Sequence, residues 1–449
     1  MNEKTPPPVR WKTFLGYGTG DYALNLFWQG TSFYLFFFYA NVVGIPNTVV
    51  GTIFLIASVW DAITDPTMGF IAERTRSRWG PYRPYLLFGA VPLGVSFALL
   101  FTLVTFENKF WEAAYYLGIL LLFRSCYTVV SIPYSALGAR VTRNFDARTK
   151  LSGVRMYFGF LGGISISFFA KQMQGTYSDA EAFAYMGVGA GFLAIFILYF
   201  CFHATTESAN PINKIVANAR VTDGISSIFS NKPFLLLIGG FVMVNVATTV
   251  IGQTSLFYFE NQFGGRDIGN TAIVFVLAAP LVGIPFWATV ALKFGKRNTW
   301  IVGSLVALLG LGLIYVDQSN STFLTLAEIS LTSVGLSAYA ILFWSMLPDT
   351  IEYGEVHSNI HSESLLIGIA SSFQKITIGI SAFAVGLLLD YVGFEAGTSF
   401  SNGTSQGLKN IFTLVPFGAL CGSIAIIYFY PITAKMHGQF VATLQKKVK

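Results

Sequence analysis

The chain has 449 residues, of which 53% are hydrophobic and only 11% are charged. Soluble domains carry about 25% charged residues, so this composition excludes a soluble globular protein and indicates an integral membrane protein. The formal net charge of +6 does not indicate a nucleic-acid surface, because the basic residues are spread over the loops between apolar segments.

Apolar segments long enough to cross a membrane recur along the whole chain. A span of about 30 Å of hydrocarbon takes about 20 helical residues. By this measure we predict twelve spans, near residues 14–40, 48–72, 85–106, 113–138, 151–173, 183–204, 233–260, 270–292, 299–317, 322–346, 364–394 and 408–430. In the first of them, the aromatic stretch YLFFFYA at 34–40 predicts a lipid-facing or interfacial surface.

The longest polar stretch, residues 205–232, follows the sixth span. It divides the chain into an N-terminal half (1–204), a cytoplasmic linker (205–232), a C-terminal half (233–430) and a polar tail (431–449). Two groups of six spans predict an all-α membrane protein with two six-helix bundles, which is the major facilitator fold.

Most of the 28 lysines and arginines fall on the side of the predicted membrane that holds both termini. The opposite side has only Lys109, Lys171, Arg266 and Lys409. Because basic loops remain cytoplasmic, both termini are predicted to be cytoplasmic in a multi-pass protein of the bacterial inner membrane.

The second span carries two carboxylates, Asp61 and Asp65, which lie four residues apart and therefore share one helix face. A charged side chain at the centre of a bilayer costs about 2.5–3.5 kcal/mol on insertion scales. A pair kept at that cost indicates a binding site for a coupling cation. Thr64 and Thr128 are candidate neutral oxygen ligands, and Na⁺ at the two carboxylates is one alternative. A proton held by one of them is the other, because burial and a like-charged neighbour favour the neutral form of a carboxylate.

Further ionisable residues lie within the predicted spans. Arg124 and Lys375 are placed near mid-depth, whereas Asp21 and Arg155 are placed closer to the cytoplasmic ends. One interpretation is that these residues only neutralise one another as buried ion pairs. The other is that the basic residues hold the carboxylates before the cation binds, or hydrogen-bond a sugar.

Aromatic and amide side chains complete a predicted sugar site. Trp344, Tyr127 and Tyr157 offer apolar faces for a pyranose ring, and Asn25 and Gln374 offer hydrogen bonds to hydroxyl groups. For each of them, ordinary helix packing is the alternative interpretation.

Three acids follow the tenth span, at Asp349, Glu352 and Glu355. They are predicted to lie in a loop that faces the basic cytoplasmic loops at 74–83, 140–150 and 293–297, with Arg148 and Arg297 as partners. Exposed ion pairs contribute only about 0–1 kcal/mol each, so a gate on the cytoplasmic side needs several acting together.

Five motifs resemble the glycoside–pentoside–hexuronide:cation symporter family, which includes melibiose permease. They are GYGTGD (16–21), FFYANVVGI (37–45), WDAITDP with RTRSRWGPYRP (60–84), YTVVSIPYSALG (127–138) and LPDTIEYGEVHSNIHSES (347–364). The resemblance covers nearly the whole chain. It implies twelve helices and the import of a sugar with Na⁺, Li⁺ or H⁺.

The resemblance also implies roles for single residues. Asp61 and Asp65 correspond to the cation carboxylates of the family, Thr128 to its helix-four hydroxyl ligand, and Lys375 and Arg155 to its basic residues on helices eleven and five. Four positions depart from the melibiose-type pattern, which has an amide at Thr64 and acids at Asn25, Asn41 and Ser131. These departures favour H⁺ over Na⁺ and a proton-coupled or acid-sugar branch.

The sequence thus predicts a secondary transporter that imports a sugar, a glycoside or a sugar acid with a monovalent cation. An anionic sugar would pair with Arg124 and Lys375, whereas the alternative is that these two residues neutralise Asp61 and Asp65. An uncoupled facilitator or exchanger is the alternative function. No enzyme activity and no cofactor are predicted, and the expected partners are the sugar, the cation and the lipid bilayer.

Overall fold

The computed structural model describes residues 11–141, 145–173, 177–207, 231–263, 266–319, 321–358, 363–395 and 402–433, with Met436 and Gln439. Twelve α-helices run through this part of the chain. They are α1 (Trp11–Gly30), α2 (Asn47–Arg74), α3 (Arg83–Leu100), α4 (Lys109–Val141), α5 (Phe145–Met173), α6 (Asp179–Ala204), α7 (Lys232–Phe263), α8 (Arg266–Phe294), α9 (Lys296–Val316), α10 (Thr322–Ser358), α11 (Glu363–Tyr391) and α12 (Asn402–Tyr428).

Eleven of these helices, α2 to α12, are long and apolar enough to cross a membrane by length and composition, counting only the residues described above. The first helix is not among them, because polar and small residues such as Asp21 and Asn25 interrupt its apolar character. The prediction of an all-α membrane protein is confirmed, and each predicted span coincides with a helix.

Two stretches differ from the sequence-based expectation. The first helix continues past Gly30 through two π-helical turns, Thr31–Leu35 and Phe38–Val42. The aromatic stretch at 34–40 lies within and between these turns and is buried, with Phe36, Phe37 and Phe38 at 0% exposure. The predicted lipid-facing surface is therefore wrong. These rings pack against protein instead, and Phe37 lies 4.8 Å from Phe257 between ring centroids.

The second difference concerns the acids after the tenth span. The helix α10 does not end near residue 346 but continues to Ser358. Asp349 and Glu352 therefore lie on a helix, not in the predicted loop. Hydropathy marks only where a helix leaves the apolar layer, and the polar sequence beyond Met346 continues the same helix.

The helices form two compact units. Unit 1 contains Met1–Pro211, Gln253–Ala278 and Ala382–Thr404, and unit 2 contains Ile212–Gly252, Ala279–Ser381 and Ser405–Lys449. These units group residues that pack together, whereas the halves 1–204 and 233–430 were drawn from the polar stretch between them. The division into those halves therefore remains a prediction. Most of the linker at 205–232 and most of the tail at 431–449 lie outside the described residues.

Within unit 1, α1 packs closely against α4 and α5. Against α4, the rings of Tyr17 and Tyr134 stack with centroids 4.7 Å apart. Each of these hydroxyls donates to the backbone carbonyl of the other residue, at 3.2 Å for Tyr17 and 2.6 Å for Tyr134. Against α5, the backbone at Gly162 approaches so closely that a Cβ there would lie 2.3 Å from the carbonyl oxygen of Tyr22. Small residues at such crossings let two membrane helices come into backbone contact.

Within unit 2, α9 and α12 are joined through a buried polar chain. The indole of Trp300 donates to the hydroxyl of Ser423 at 3.0 Å, and this hydroxyl donates to the carbonyl of Gly240 at 3.0 Å. The buried indole of Trp287 similarly donates to the carbonyl of Val334 at 2.7 Å. Both indole N–H groups thus find protein partners at positions that are shielded from solvent.

Candidate functional site

Two side-chain contacts join α2 to α4 in unit 1. The guanidinium of Arg124 donates from Nη1 to Oδ2 of Asp61 at 3.1 Å. One helical turn further along both helices, the hydroxyl of Thr128 donates to Oδ1 of Asp65 at 2.7 Å. We call these two contacts the α2–α4 ladder. The four-residue spacing of each pair places both rungs on facing sides of the two helices.

The first rung is shielded from solvent. Asp61 is 2% exposed and Arg124 is 5% exposed, whereas Asp65 is half-buried. Removing both charges from water is costly unless they are paired. The pair therefore holds Asp61 and Arg124 in place, and Asp65 is the more accessible carboxylate of the two.

A second charged pair lies between α1 and α5. Nε of Arg155 donates to Oδ1 of Asp21 at 2.8 Å, and the amide of Asn25 donates to the other oxygen of Asp21 at 3.3 Å. Gly159 leaves room for this arrangement, because a Cβ there would lie 2.8 Å from both Asn25 and Asp21 side-chain atoms. The side chain of Arg155 is 35% exposed, so this pair faces an accessible space more than the first rung does.

Aromatic rings lie along the same helices. Tyr127 on α4 lies 5.9 Å from Trp28 on α1 between ring centroids, and Tyr157 on α5 is exposed. The guanidinium of Arg124 lies 5.4 Å from the centre of the Trp28 ring. The sequence analysis did not single out Trp28. Its signal was present, since Trp28 follows Asn25 by three residues and Asp21 by seven on one face of α1.

Thr64 does not share the geometry of the other predicted cation ligands. Its hydroxyl donates to the backbone carbonyl of Trp60 at 3.1 Å, a bond within its own helix. Among the described residues there is no group of three or more His, Cys, Asp and Glu side chains that could hold a metal ion. A cation at Asp61 and Asp65 would therefore depend on hydroxyl and carbonyl oxygens as well.

Three of the predicted substrate residues lie in unit 2. Trp344 on α10 is half-exposed, and its ring lies 5.1 Å from that of Phe343. Gln374 and Lys375 are adjacent on α11, and both are half-buried. The three residues thus lie on the helices that correspond to the tenth and eleventh predicted spans.

The predicted gate residue Asp349 has a partner in the basic segment 293–297, and this partner is Lys296 rather than the named Arg297. Asp349 accepts from Nζ of Lys296 at 2.7 Å, and this ammonium also donates to the carbonyl of Ser345. The guanidinium of Arg297 donates to the carbonyl of Tyr430 at 3.5 Å. The side chains of Arg148 and Glu355 lie outside the described part of the structure. Lys296, which precedes Arg297 at the start of α9, belongs to the basic segment 293–297 but was not named as the partner of Asp349.

The family is decided by comparison of the whole sequence. The profile of the family described as MFS/sugar transport protein matches residues 16–434. The chain belongs to this family. It is therefore a membrane transport protein, not an enzyme, and the predicted relationship to the glycoside–pentoside–hexuronide:cation symporters is confirmed.

Curated relatives of this sugar transport protein match nearly end to end. The uncharacterized symporter YnaJ of Bacillus subtilis (strain 168) is 29% identical, over 97% of this chain and 95% of the relative. The glucuronide carrier protein homolog of Escherichia coli (strain K12) is 28% identical, over 98% and 97%. The isoprimeverose transporter of Lactiplantibacillus pentosus is 26% identical, over 98% and 92%.

A solved structure supports the fold of the transport protein. The crystal structure of a bacterial homologue of the human lysosomal transporter Spinster superposes with a TM-score of 0.70 at 12% identity, over 95% of this chain and 97% of the other. At this identity the likeness concerns the fold alone. The major facilitator fold, predicted from the twelve spans, is confirmed.

Proposed function

We propose that this transport protein imports a sugar, a glycoside or a sugar acid together with a proton, across the bacterial inner membrane. The observation that carries the proposal is the α2–α4 ladder, with a buried ion pair on one rung and a hydrogen-bonded carboxylate on the next. Transport follows alternating access, in which the halves 1–204 and 233–430 move around the site and remain joined by the linker 205–232.

The ladder has the chemistry that ion coupling requires. Asp61 is stable as an anion in this buried place because Arg124 compensates its charge. A proton that binds Asp61 removes the anion and thereby releases the guanidinium. Binding of one small cation is in this way converted into a change in the partners of a neighbouring side chain.

The available oxygen ligands favour H⁺ over Na⁺. A sodium ion needs several oxygen donors held around it. The hydroxyl of Thr128 is close to Asp65, but the hydroxyl of Thr64 is bonded to its own helix backbone. Ser131 stands where the melibiose-type pattern has an acid. A proton needs only one of the two carboxylates, and Asp61 and Asp65 are both available as carriers.

The names of the relatives support a sugar or glycoside as the substrate. One of them is named for a glucuronide, which is anionic, and another for isoprimeverose, which is neutral. In this chain Arg124 is paired with Asp61, which supports the view that it neutralises a carboxylate rather than binding an anionic sugar. An acid sugar would instead meet Arg155, whose side chain is partly exposed.

Uptake into proteoliposomes tests the proposal. A panel of radiolabelled glycosides and uronides is offered to purified protein with an inward proton gradient, with an inward sodium gradient at constant pH, and with neither. We expect accumulation above equilibrium only with the proton gradient. Strong stimulation by Na⁺ without alkalinisation of the medium on sugar addition would show that the choice of ion is wrong.

The alternative function is an uncoupled facilitator or exchanger. The closed Asp61–Arg124 pair favours it in one respect, because a purely structural ion pair has the same geometry. The Asp61→Asn and Asp65→Asn variants separate the two functions. A symporter loses uphill accumulation in both variants and keeps exchange in at least one, whereas a facilitator keeps its downhill transport in both.

A further inference from the structure

The ion pair of the ladder is not in a position to bind a sugar directly. Arg124 and Asp61 are almost completely shielded from solvent. Side chains that are partly accessible therefore have to lie between this pair and a bound substrate. The half-buried ring of Trp28 on α1 lies over the guanidinium, and the half-buried ring of Tyr127 on α4 lies 5.9 Å from the ring of Trp28.

Trp28 lies against the guanidinium on one side of the pair. The distance of 5.4 Å between the centre of the ring and Cζ of Arg124 is within the range of a cation–π interaction, and Trp offers the most favourable ring for it. Asp61 and Trp28 are thus two partners of the same cation. When one interaction weakens, the other becomes the more important for the position of Arg124.

The backbone at Trp28 is held in an unusual way. Its carbonyl oxygen accepts from the hydroxyls of Thr31 and Ser32, at 2.9 and 2.8 Å. The π-helical turn Thr31–Leu35 begins directly after this point. Such wide turns within α-helices are frequent at functional sites. The two hydroxyls satisfy the carbonyl of Trp28 close to where the helical hydrogen bonding changes.

Trp28 also continues the polar face of α1. Asp21 and Asn25 precede it on this face, and the Asp21–Arg155 pair is partly exposed. Sugar sites combine an aromatic surface for the apolar face of the ring with a few polar groups that fix its orientation. Trp28 and Tyr127 supply the surface, and Asn25 and Arg155 supply the polar groups.

We propose that Trp28 is the aromatic platform on which the substrate sugar packs, and that the state of the Asp61–Arg124 pair determines the position of this platform. While Asp61 is ionised, it holds Arg124. Once Asp61 is protonated, the guanidinium loses this carboxylate and keeps the ring of Trp28, and the platform takes the position that binds sugar. This inference rests on the proposed function, because it assumes that Asp61 responds to the coupling ion.

The first experiment needs no sugar and no gradient. Tryptophan fluorescence is compared between the native protein and Asp61→Asn, which mimics the protonated residue, and the same comparison is made in a Trp28→Phe background. We expect an emission change on Asp61→Asn that disappears when Trp28 is replaced. An emission change that persists in Trp28→Phe, or no change at all, overturns the inference.

The second experiment measures sugar affinity in detergent at several pH values, with the tightest-binding member of the glycoside and uronide panel as the probe. Trp28→Leu keeps an apolar side chain but removes the π face, and we expect affinity to fall about tenfold and its pH dependence to flatten. Trp28→Phe should retain part of both. Trp111→Phe, in a distant and exposed position, is the control and should behave as the native protein.

The outcomes separate this inference from the proposed function. Native affinity and native pH dependence in Trp28→Leu overturn the role of Trp28. A native protein that only equilibrates sugar, and accumulates it with neither a proton gradient nor a sodium gradient, overturns the coupling proposal instead. In that case the fluorescence comparison still decides whether Trp28 senses the Asp61–Arg124 pair.

Discussion

Asp61 and Arg124 carry opposite charges in a place where neither charge would be stable alone. Both are buried and they contact each other at 3.1 Å. Replacing one member of a buried ion pair leaves an uncompensated charge, which costs about 3–5 kcal/mol, whereas replacing both together is often nearly neutral. The two residues should therefore act as a unit in their effect on the stability of the protein.

The first prediction follows from this difference between single and double replacement. Arg124→Gln should lower the thermal unfolding temperature of the purified protein, because it leaves Asp61 buried without its guanidinium. The double variant Asp61→Asn with Arg124→Gln should recover most of this loss and still fail to accumulate sugar against a gradient. Unfolding in detergent and uptake into proteoliposomes driven by an inward proton gradient are the two measurements. Strictly additive losses in the double variant would contradict the prediction.

At the residue scale, the sequence predicted which side chains share a helix face, but it did not determine which residues they contact on the neighbouring helix. The four-residue spacing places Asp61 and Asp65 together on α2, whatever the rest of the fold. It does not determine which helix lies opposite, so the pairing of Arg124 with Asp61 and of Thr128 with Asp65 required the structure. Trp28 was missed because an aromatic residue in an apolar span usually serves packing.

At the element scale, the position of α1 depends on how closely α5 approaches it. A Cβ at Gly162 would lie 2.3 Å from the backbone oxygen of Tyr22, which cannot move without displacing the helix. Gly118 on α4 provides the contrast, because a Cβ there meets no atom within 4 Å. The two glycines therefore allow the effect of the crossing to be separated from the effect of helix propensity.

The second prediction uses this pair of glycines. Gly162→Ala should destabilise the protein by about 1–3 kcal/mol, as overpacking of a tight contact does. Gly118→Ala should be neutral or stabilising by up to about 1 kcal/mol, because alanine favours helix where space is available. Thermal unfolding of both variants in the same detergent checks the difference. Equal effects of the two substitutions would refute the close approach of α1 and α5.

The beginning of α2 is tied to the end of α11 by Asp390. One carboxylate oxygen of Asp390 accepts from the amide of Asn47 at 2.8 Å, and the other accepts from the backbone N–H of Thr48 at 3.0 Å and from its hydroxyl. An acid at this place caps free N–H groups of the first helical turn. The contact lies within unit 1 and joins residues that are more than 340 positions apart in sequence.

The third prediction concerns this cap. Asp390→Ala removes the acceptor for three donors and should loosen the first turn of α2 against α11. A cysteine introduced by Val50→Cys, at a completely buried position, should then react faster with a membrane-impermeant thiol reagent. The exposed Cys421 is replaced by Ser beforehand. Thr48→Val, which removes only the hydroxyl donor, is the milder variant, and an unchanged labelling rate in Asp390→Ala would count against the cap.

At the same scale, the positions of the helices were predictable, but two details were not. Apolar length determines where a helix crosses the membrane, so α2 to α9 lie close to their predicted spans. The continuation of α10 to Ser358 and the π-helical turns after Gly30 are decided by hydrogen bonding and packing. Hydropathy does not contain that information, and it also misjudged the buried rings at 34–40.

For the whole molecule, the distribution of basic residues predicts a definite orientation. Most lysines and arginines fall in segments predicted to lie on the side of the termini, and the opposite side carries only a few. Basic loops resist translocation, and this resistance orients the first helices and those that follow.

The fourth prediction tests that orientation. A green fluorescent protein fused after Lys449 should fluoresce in the cytoplasm, whereas alkaline phosphatase at the same place should be inactive. Alkaline phosphatase inserted after Asn108, between α3 and α4, should be active and serves as the matched control. An active phosphatase at the C-terminus would reverse the predicted topology.

The spacing of the α2–α4 ladder has a consequence for sliding motions between these helices. The partner numbers rise together along α2 and α4, so the two helices run parallel, and each repeats its polar group after one turn. A displacement of α2 by one turn, about 5.4 Å, would bring Asp65 opposite Arg124. The guanidinium would then exchange one carboxylate for an equivalent one without a charge having to cross bare hydrocarbon. The displaced Asp61 would then be a buried carboxylate without its cationic partner, which is unfavourable. Protonation of Asp61 would remove this unfavourable charge. Protonation and a change of helix register would thus favour each other, since each lowers the free energy that the other requires.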